Sequence, residues 1–305
     1  MNGILLIDKP VDLTSADVVR RVKRRLPRAV KVGHLGTLDP FATGLLPLCL
    51  GEATKIAQFL NTADKRYSGV IRLGVATDTG DRTGREQATA PLPALREADL
   101  AAVAAHFTGD LQQRPPMYSA LKRDGVPLYR LARRGIEVER ELRAVRVDGL
   151  VLAVDGPDRL RFSLGCSKGT YVRVLAEDIG TALGTVAHLA ELRRTGFGGF
   201  DIGDAVALDA WDPGCARGLI GLRAALAHLP ALAIDQPTAA AARQGKAAVL
   251  GHLPGAPQAA ALLIDPAGEV AAVVVREQGT WRYGRVLAPP QALHGTDTVV
   301  ADTVE

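Results

Sequence analysis

The chain has little of what marks cross-linked, metal-binding or membrane proteins. Its three cysteines, Cys49, Cys166 and Cys215, are scattered along 305 residues and odd in number. They show no metal-ligand spacing and suit a reducing compartment better than a disulfide framework. The six histidines have no metal spacing either. No apolar run reaches membrane-spanning length, because Arg223, His228 and several prolines break the alanine-rich stretches after Trp211. The opening MNGILLIDKP meets Asp8 and Lys9 too early for a secretory signal. Also missing are the phosphate loop G-x-x-x-x-G-K-[ST], the nucleophile elbow G-x-S-x-G and the zinc helix H-E-x-x-H. The expectation is a cytoplasmic globular protein with no metal, no cofactor and no membrane partner.

Present instead is clustered positive charge. The net charge is only +4, yet Arg20, Arg21, Lys23, Arg24, Arg25, Arg28 and Lys31 crowd one segment. A second group, Arg114 to Arg146, holds nine basic residues against the four acids Asp124, Glu137, Glu139 and Glu141. One reading is solvated helix faces; the other is a surface for a polyanion.

Periodicity places the elements. GILLI at 3–7 predicts a buried strand. Thr14 or Ser15 then caps a helix whose Val18, Val22 and Leu26 recur every fourth residue, with Pro27 at its end. GEATKIAQFL predicts a second short helix, 66–76 a strand, TDTGDRTG a loop and 96–108 a helix. Asp78 and Asp81 in that loop fail the calcium-loop spacing. From Arg114 to about Arg146 the pattern loosens into an excursion with at most a short helix at LYRLARRG. Residues 145–154 and 159–166 predict a strand pair. A helix follows Gly169, then a turn at LRRTGFGGF. Near Leu229-Pro230 the composition changes, and ALLIDPAGEVAAVVV and WRYGRVLAP predict a small β-rich module.

Three segments draw attention for chemistry. In GHLGTLDPFATGLLP, Asp39 is held against Pro40, either as a simple Asp-Pro turn or as a carboxylate displayed where glycines let something large approach. Tyr67, in Lys65-Arg66-Tyr67, is either an ordinary strand tyrosine or a wall of a site. Arg173, in SKGTYVRVLAEDIG, lies in a first helical turn, where a cation opposes the helix dipole. Its partner is either Glu177, four residues on, or a distant carboxylate.

Taken in order, GILLIDKPVDLTS, KVGHLGTLDPFATGLLP, KRYSG, RPPMYSALKRDGVPLYRLAR, SKGTYVRVLAEDIG and AHLAELRRTGFG resemble the TruB family of tRNA pseudouridine synthases. The resemblance covers most of residues 1–200, and the tail resembles the PUA-like RNA-binding domain of bacterial members. It implies an α+β fold: a mixed-sheet catalytic domain over 1–230 with a thumb-like insertion at about 114–146, then a PUA-like domain over 231–305. It implies an enzyme that isomerises uridine to pseudouridine at position 55 in the T loop of tRNA after flipping the base, acts as a monomer and needs no protein partner. By the same resemblance Asp39 is the catalytic carboxylate, Arg173 its partner and Tyr67 the residue that stacks on the target base and assists proton removal. His34 contacts RNA near the vacated position, and Leu192 lines the uracil pocket. Lys65, Arg130, Arg133 and Arg134 bind the substrate. Asp12 and Leu35 depart from the family pattern, which has glycine at the first and Thr or Gly at the second. Two rivals share the residues: a non-catalytic RNA-binding protein, and a cofactor-free hydrolase with Asp39 as nucleophile.

Overall fold

The run Gly3–Lys9 is apolar without alternation because the strand it forms, β1, is covered on both sides. Leu5 and Ile7 enter one core, Ile4 and Leu6 a second. The computed structural model describes residues 1–61, 63–214, 217–254 and 259–289. Cys215 and the end of the expected tail, 290–305, lie outside the described residues.

Helix α1 (Ser15–Arg24) starts on a capping box between Thr14 and Asp17, and buries Val18 and Val22. Strands β2 (Val32–His34) and β3 (Thr43–Leu50) form an antiparallel pair, and helix α2 (Ala53–Leu60) follows. Strand β4 (Lys65–Leu73) stops at Gly74, whose φ of +82° breaks the predicted 66–76 strand before β5 (Val75–Thr77). Strand β6 (Glu86–Thr89) pairs with β5, helix α3 runs Glu97–His106, and β7 runs Gly109–Gln113.

The basic excursion carries a small ladder, β8 (Lys122–Arg123) with β9 (Val126–Pro127), and helix α4 (Leu128–Ala132). It ends earlier than expected. Strand β10 spans Arg143–Val154, and its Arg143–Arg146 already pair with Asp110–Gln113 of β7, so the insertion is 114–142 rather than 114–146. Strand β11 (Arg159–Cys166) and helix α5 (Val172–Ala182) come next.

The largest correction concerns LRRTGFGGF. Most of it is not a turn but the end of strand β12 (Ala187–Phe197); the reversal is confined to Gly198-Gly199, before β13 (Phe200–Asp201). Two bulges, at Leu189/Glu191 and Arg194/Gly196, break the alternation that would have revealed the strand. Short strands β14 (Val206–Ala207) and β15 (Leu219–Ile220) and helix α6 (Leu222–Ala225) complete this part.

Among the described residues the large mixed sheet has eleven strands, with the main order β14-β1-β3-β12-β4-β11-β10-β7. Strand β12 lies parallel to β3 and antiparallel to β4, so it ties the two halves of the sheet together. The tail forms β16 (Ala231–Ala233), helices α7 (Gln236–Arg243) and α8 (Ala248–Gly251), and β17 (Ala260–Ile264), β18 (Val270–Glu277) and β19 (Thr280–Val286). Its four-stranded sheet is separate, but it shares a core with the large one: Leu262, Ile264, Val270 and Val273 pack with Ile4, Leu6, Leu35 and Leu45. The architecture is α+β. No helix among the described residues is long and apolar enough to cross a membrane.

Candidate active site

The site forms where the β2–β3 loop meets the N-terminus of α5. Ser15, the first residue of α1, accepts from the Leu38 amide (2.9 Å) and donates to the Leu38 carbonyl (3.2 Å). Lys9 is buried, and its ammonium donates to the carbonyls of Pro10, Leu13 and Pro40. The Asp12 amide donates to the Pro40 carbonyl at 2.9 Å from a left-handed backbone, φ 63°, the conformation for which glycine is the usual residue. Finally the Ala42 amide bonds the Asp39 carbonyl at 3.1 Å. The two readings of Asp-Pro are therefore compatible: a braced turn exists, and it presents the carboxylate.

Arg173 receives that carboxylate. Its Nε lies 3.0 Å from Asp39 Oδ2, while Nη1 and Nη2 donate to the carbonyls of Thr79 and Tyr118, each at 2.8 Å. The distant carboxylate, not Glu177, makes the ion pair. A second acid stands behind it: Asp81 Oδ2 is 3.7 Å from the same Nε, and Asp81 Oδ1 accepts from the Thr83 amide and from the Thr79 and Thr83 hydroxyls. Side-chain exposure separates the three groups. Arg173 and Asp81 retain 6% each, Asp39 35%. Of the three, only Asp39 keeps substantial exposed surface.

Electrostatics follow from this crowding. Burial raises the pKa of Asp39, and the charge of Asp81 raises it further; Arg173 and Lys9 pull it down without cancelling the rise. Glu177, half-buried and beside the negative Asp178, is pushed up to about 7. Lys9 is lowered to about 8 by burial.

The other expected residues divide. Leu192 lines a cleft of about 380 Å³ together with Phe41, Gly69 and Val70, and Arg82 and Arg193 supply positive charge at its edge. His34 is half-buried with its Nδ1 lacking a hydrogen-bond partner, and burial lowers its pKa, so its ring is neutral. Tyr67 is half-buried against the larger core, and burial raises its hydroxyl pKa. Arg130, Arg133 and Arg134 are exposed on and beside α4 and make no ion pair among the described residues. Lys65 is different. It is only 8% exposed, donates to the Ala63 carbonyl, and sits 4.9 Å over the Phe197 ring. The structure places it inside the molecule rather than on a surface for RNA. Leu35 is fully buried in the second core, so its side chain turns away from the face that His34 presents.

Sequence reasoning missed Asp81, Lys9 and Arg194. Asp81 was read only as part of a turn-rich loop; the threonines at 77, 79 and 83 that bond it were the available signal. Lys9 in GILLIDKPVDLTS and Arg194 in AHLAELRRTGFG carried no assigned role in the sequence reading.

Comparison with known proteins gives the family. Residues 23–172 match the model of the TruB family pseudouridylate synthase N-terminal domain, and 173–212 that of the tRNA pseudouridylate synthase B C-terminal domain. The class is therefore that of the pseudouridylate synthases, enzymes that isomerise uridine within RNA. The tRNA pseudouridine synthase B of Aromatoleum aromaticum is 49% identical over 288 residues, 93% of this chain and 87% of the relative. That of Dechloromonas aromatica is 49% identical over 249 residues, 80% and 83%. With such identity over nearly its whole length, the chain belongs to the TruB family. Among solved structures, a Cbf5-Nop10-Gar1 complex contains a chain with TM-score 0.65 and 26% identity, covering 90% of this chain and 78% of that one. An H/ACA RNP bound to a substrate RNA containing 2′-deoxyuridine gives TM-score 0.68 at 24% identity, covering 94% and 85%, a likeness of fold alone.

Proposed function

We propose that this chain converts uridine 55 in the T loop of tRNA to pseudouridine, with Asp39 as the catalytic carboxylate. The observation that carries the reading is the Arg173–Asp39 ion pair, 3.0 Å long, in which Asp39 stays partly exposed while Arg173 and the neighbouring Asp81 are buried. The reaction breaks the C1′–N1 bond and joins C1′ to C5, with no redox change. It needs an ionised carboxylate in a poorly hydrated site, and Arg173 offsets part of the cost of burying that charge. Asp39 attacks C1′, attacks C6, or removes the C2′ proton; all three roles require the same anion.

A stacked uridine is out of reach, so the base must leave its stack, at a cost of a few kcal/mol. Leu192 and Tyr67 receive it, and the half-buried His34 contacts the RNA beside the vacated position. The exposed arginines of the 114–142 insertion hold phosphates. We assign 1–230 to the catalytic domain and 231–305 to an RNA-binding domain. The protein is expected to act as a cytoplasmic monomer without a protein partner.

Asp39→Asn is expected to abolish tritium release from C5-labelled tRNA while filter binding of the tRNA persists. Normal turnover by this variant would sink the assignment.

A further inference from the structure

Arg194 is the largest of the fully buried side chains in the described part of the molecule, with 1% exposure. It stands on β12 directly opposite Tyr67 of β4 in the antiparallel register. Its Nε donates to the Leu45 carbonyl (2.7 Å) and its Nη2 to the Gly36 carbonyl (3.1 Å), and its guanidinium lies 5.4 Å from the Phe197 ring centre. Each of these partners is neutral. Among the described residues Arg194 makes no ion pair, whereas Arg173 has two acids. No base around it offers a negative charge: Lys9 on β1 and Lys65 on β4 are buried cations, and His34 on β2 is neutral, its protonation opposed by Arg194's charge. A buried guanidinium without an anion is costly, and an apolar residue of similar volume would remove that cost.

The question is which anion forms beside it. An RNA phosphate does not reach a group this buried. Asp39, from the β2–β3 loop, is bonded to Arg173. Cys166, from β11, lies opposite Lys65, and burial pushes its thiol up to about 11. Tyr67 remains. Arg194's charge favours its ionised form, against burial and the charge of Asp39.

We propose that Arg194 is a positioning residue that stabilises a transient Tyr67 phenolate, formed as Tyr67 carries a proton from C5 to N1 of the isomerising base. This rests on the active-site reading above. Once C1′ is bonded to C5, that carbon still holds its original hydrogen, and N1 lacks one. Where C1′–N1 cleavage has left the bonding pair on the ring, Tyr67 Oη gives its proton to N1 and becomes phenolate. The C5–H bond then breaks. Its electron pair forms the C5–C6 π bond, the C6–N1 π pair returns to N1, and the proton passes to the phenolate oxygen. Tyr67 is again a phenol, so the step uses the neutral form that burial maintains at rest.

The test uses the full chain and tRNA carrying 5-deuterated or 5-protiated uridine. Arg194→Gln is expected to lower kcat by about 10² to 10³-fold. KM for the RNA should hold, and the C5 isotope effect on kcat should rise above that of the unmodified protein. Replacing Tyr67 by 3,5-difluorotyrosine, whose phenolate is intrinsically more stable, should restore part of the lost kcat. An unchanged isotope effect, or no rescue, overturns the proposal and leaves Arg194 a packing residue. If Arg194→Gln does not fold by circular dichroism, Arg194→Met, which also removes the charge, is read the same way: a raised isotope effect supports the proposal, an unchanged one overturns it. Failure of the underlying reading looks different. Tyr67→Phe releasing the C5 hydrogen at the normal rate would remove Tyr67 from the proton path, whatever Arg194 does.

Discussion

Asp39 holds a raised pKa although a guanidinium is bonded to it, because burial and the second acid, Asp81, act together against Arg173. A base or nucleophile must be ionised, so the acidic limb of kcat/KM should fall above the ordinary carboxylate range. Arg173→Lys keeps a charge but loses the fork that also holds the Thr79 and Tyr118 carbonyls. The acidic limb of its residual activity should move further upward; a limb moving down would contradict the charge assignment. Glu177 gives a stability prediction of definite sign. Its pKa rises from 4.5 to about 7 on folding, so the folded state binds its proton more tightly. The group costs nothing below about pH 4.5, destabilises the fold progressively as pH rises from there to about 7, and then levels off at a few kcal/mol at most. Glu177→Gln should therefore raise the urea midpoint at pH 8 more than at pH 5. An equal change at both would refute the burial argument.

At the scale of elements, the 114–142 insertion is attached to the site through backbone: Arg173 Nη2 holds the Tyr118 carbonyl at its root. Its exposed Arg130, Arg133 and Arg134 have no acidic partner among the described residues, in contrast with Arg140, which is paired to Glu137. Neutralising all three should weaken tRNA binding and flatten the plot of log K against log salt by about 2 to 3. An unchanged slope would remove the insertion from the interface. The loop glycines also divide by role. A side chain on Gly44 would meet the Arg194 carbonyl at 2.3 Å, so its close neighbour is β12. A side chain on Gly33 would meet nothing within 4 Å, which leaves that face of the strand open to an approaching molecule.

For the whole molecule, the two sheets share a core, in which Leu262, Ile264 and Val273 lie with Ile4, Leu6 and Leu45. Leu262→Ala should cost about 2 to 5 kcal/mol and lower the stability of both parts together. Calorimetry is expected to give one cooperative transition, and two well-separated transitions would show the tail folding on its own. The sequence alone determined the elements with clean local signals: the capped amphipathic α1, the doubly buried β1, the apolar strands of the tail and the basic insertion. It also supplied the family motifs that bear Asp39, Tyr67 and Arg173. These are local, because capping, periodicity and turn chemistry act over a few residues. The tertiary structure decided which charges meet. It made β12 a central strand where two bulges hid the alternation, carried Arg173 to Asp39 and Asp81 rather than to Glu177, and buried Lys65 and Arg194. A long basic side chain reads the same in sequence whether it ends in water or under a sheet. Only the packing of distant strands removes the water, and with it the screening that would make the charge unimportant.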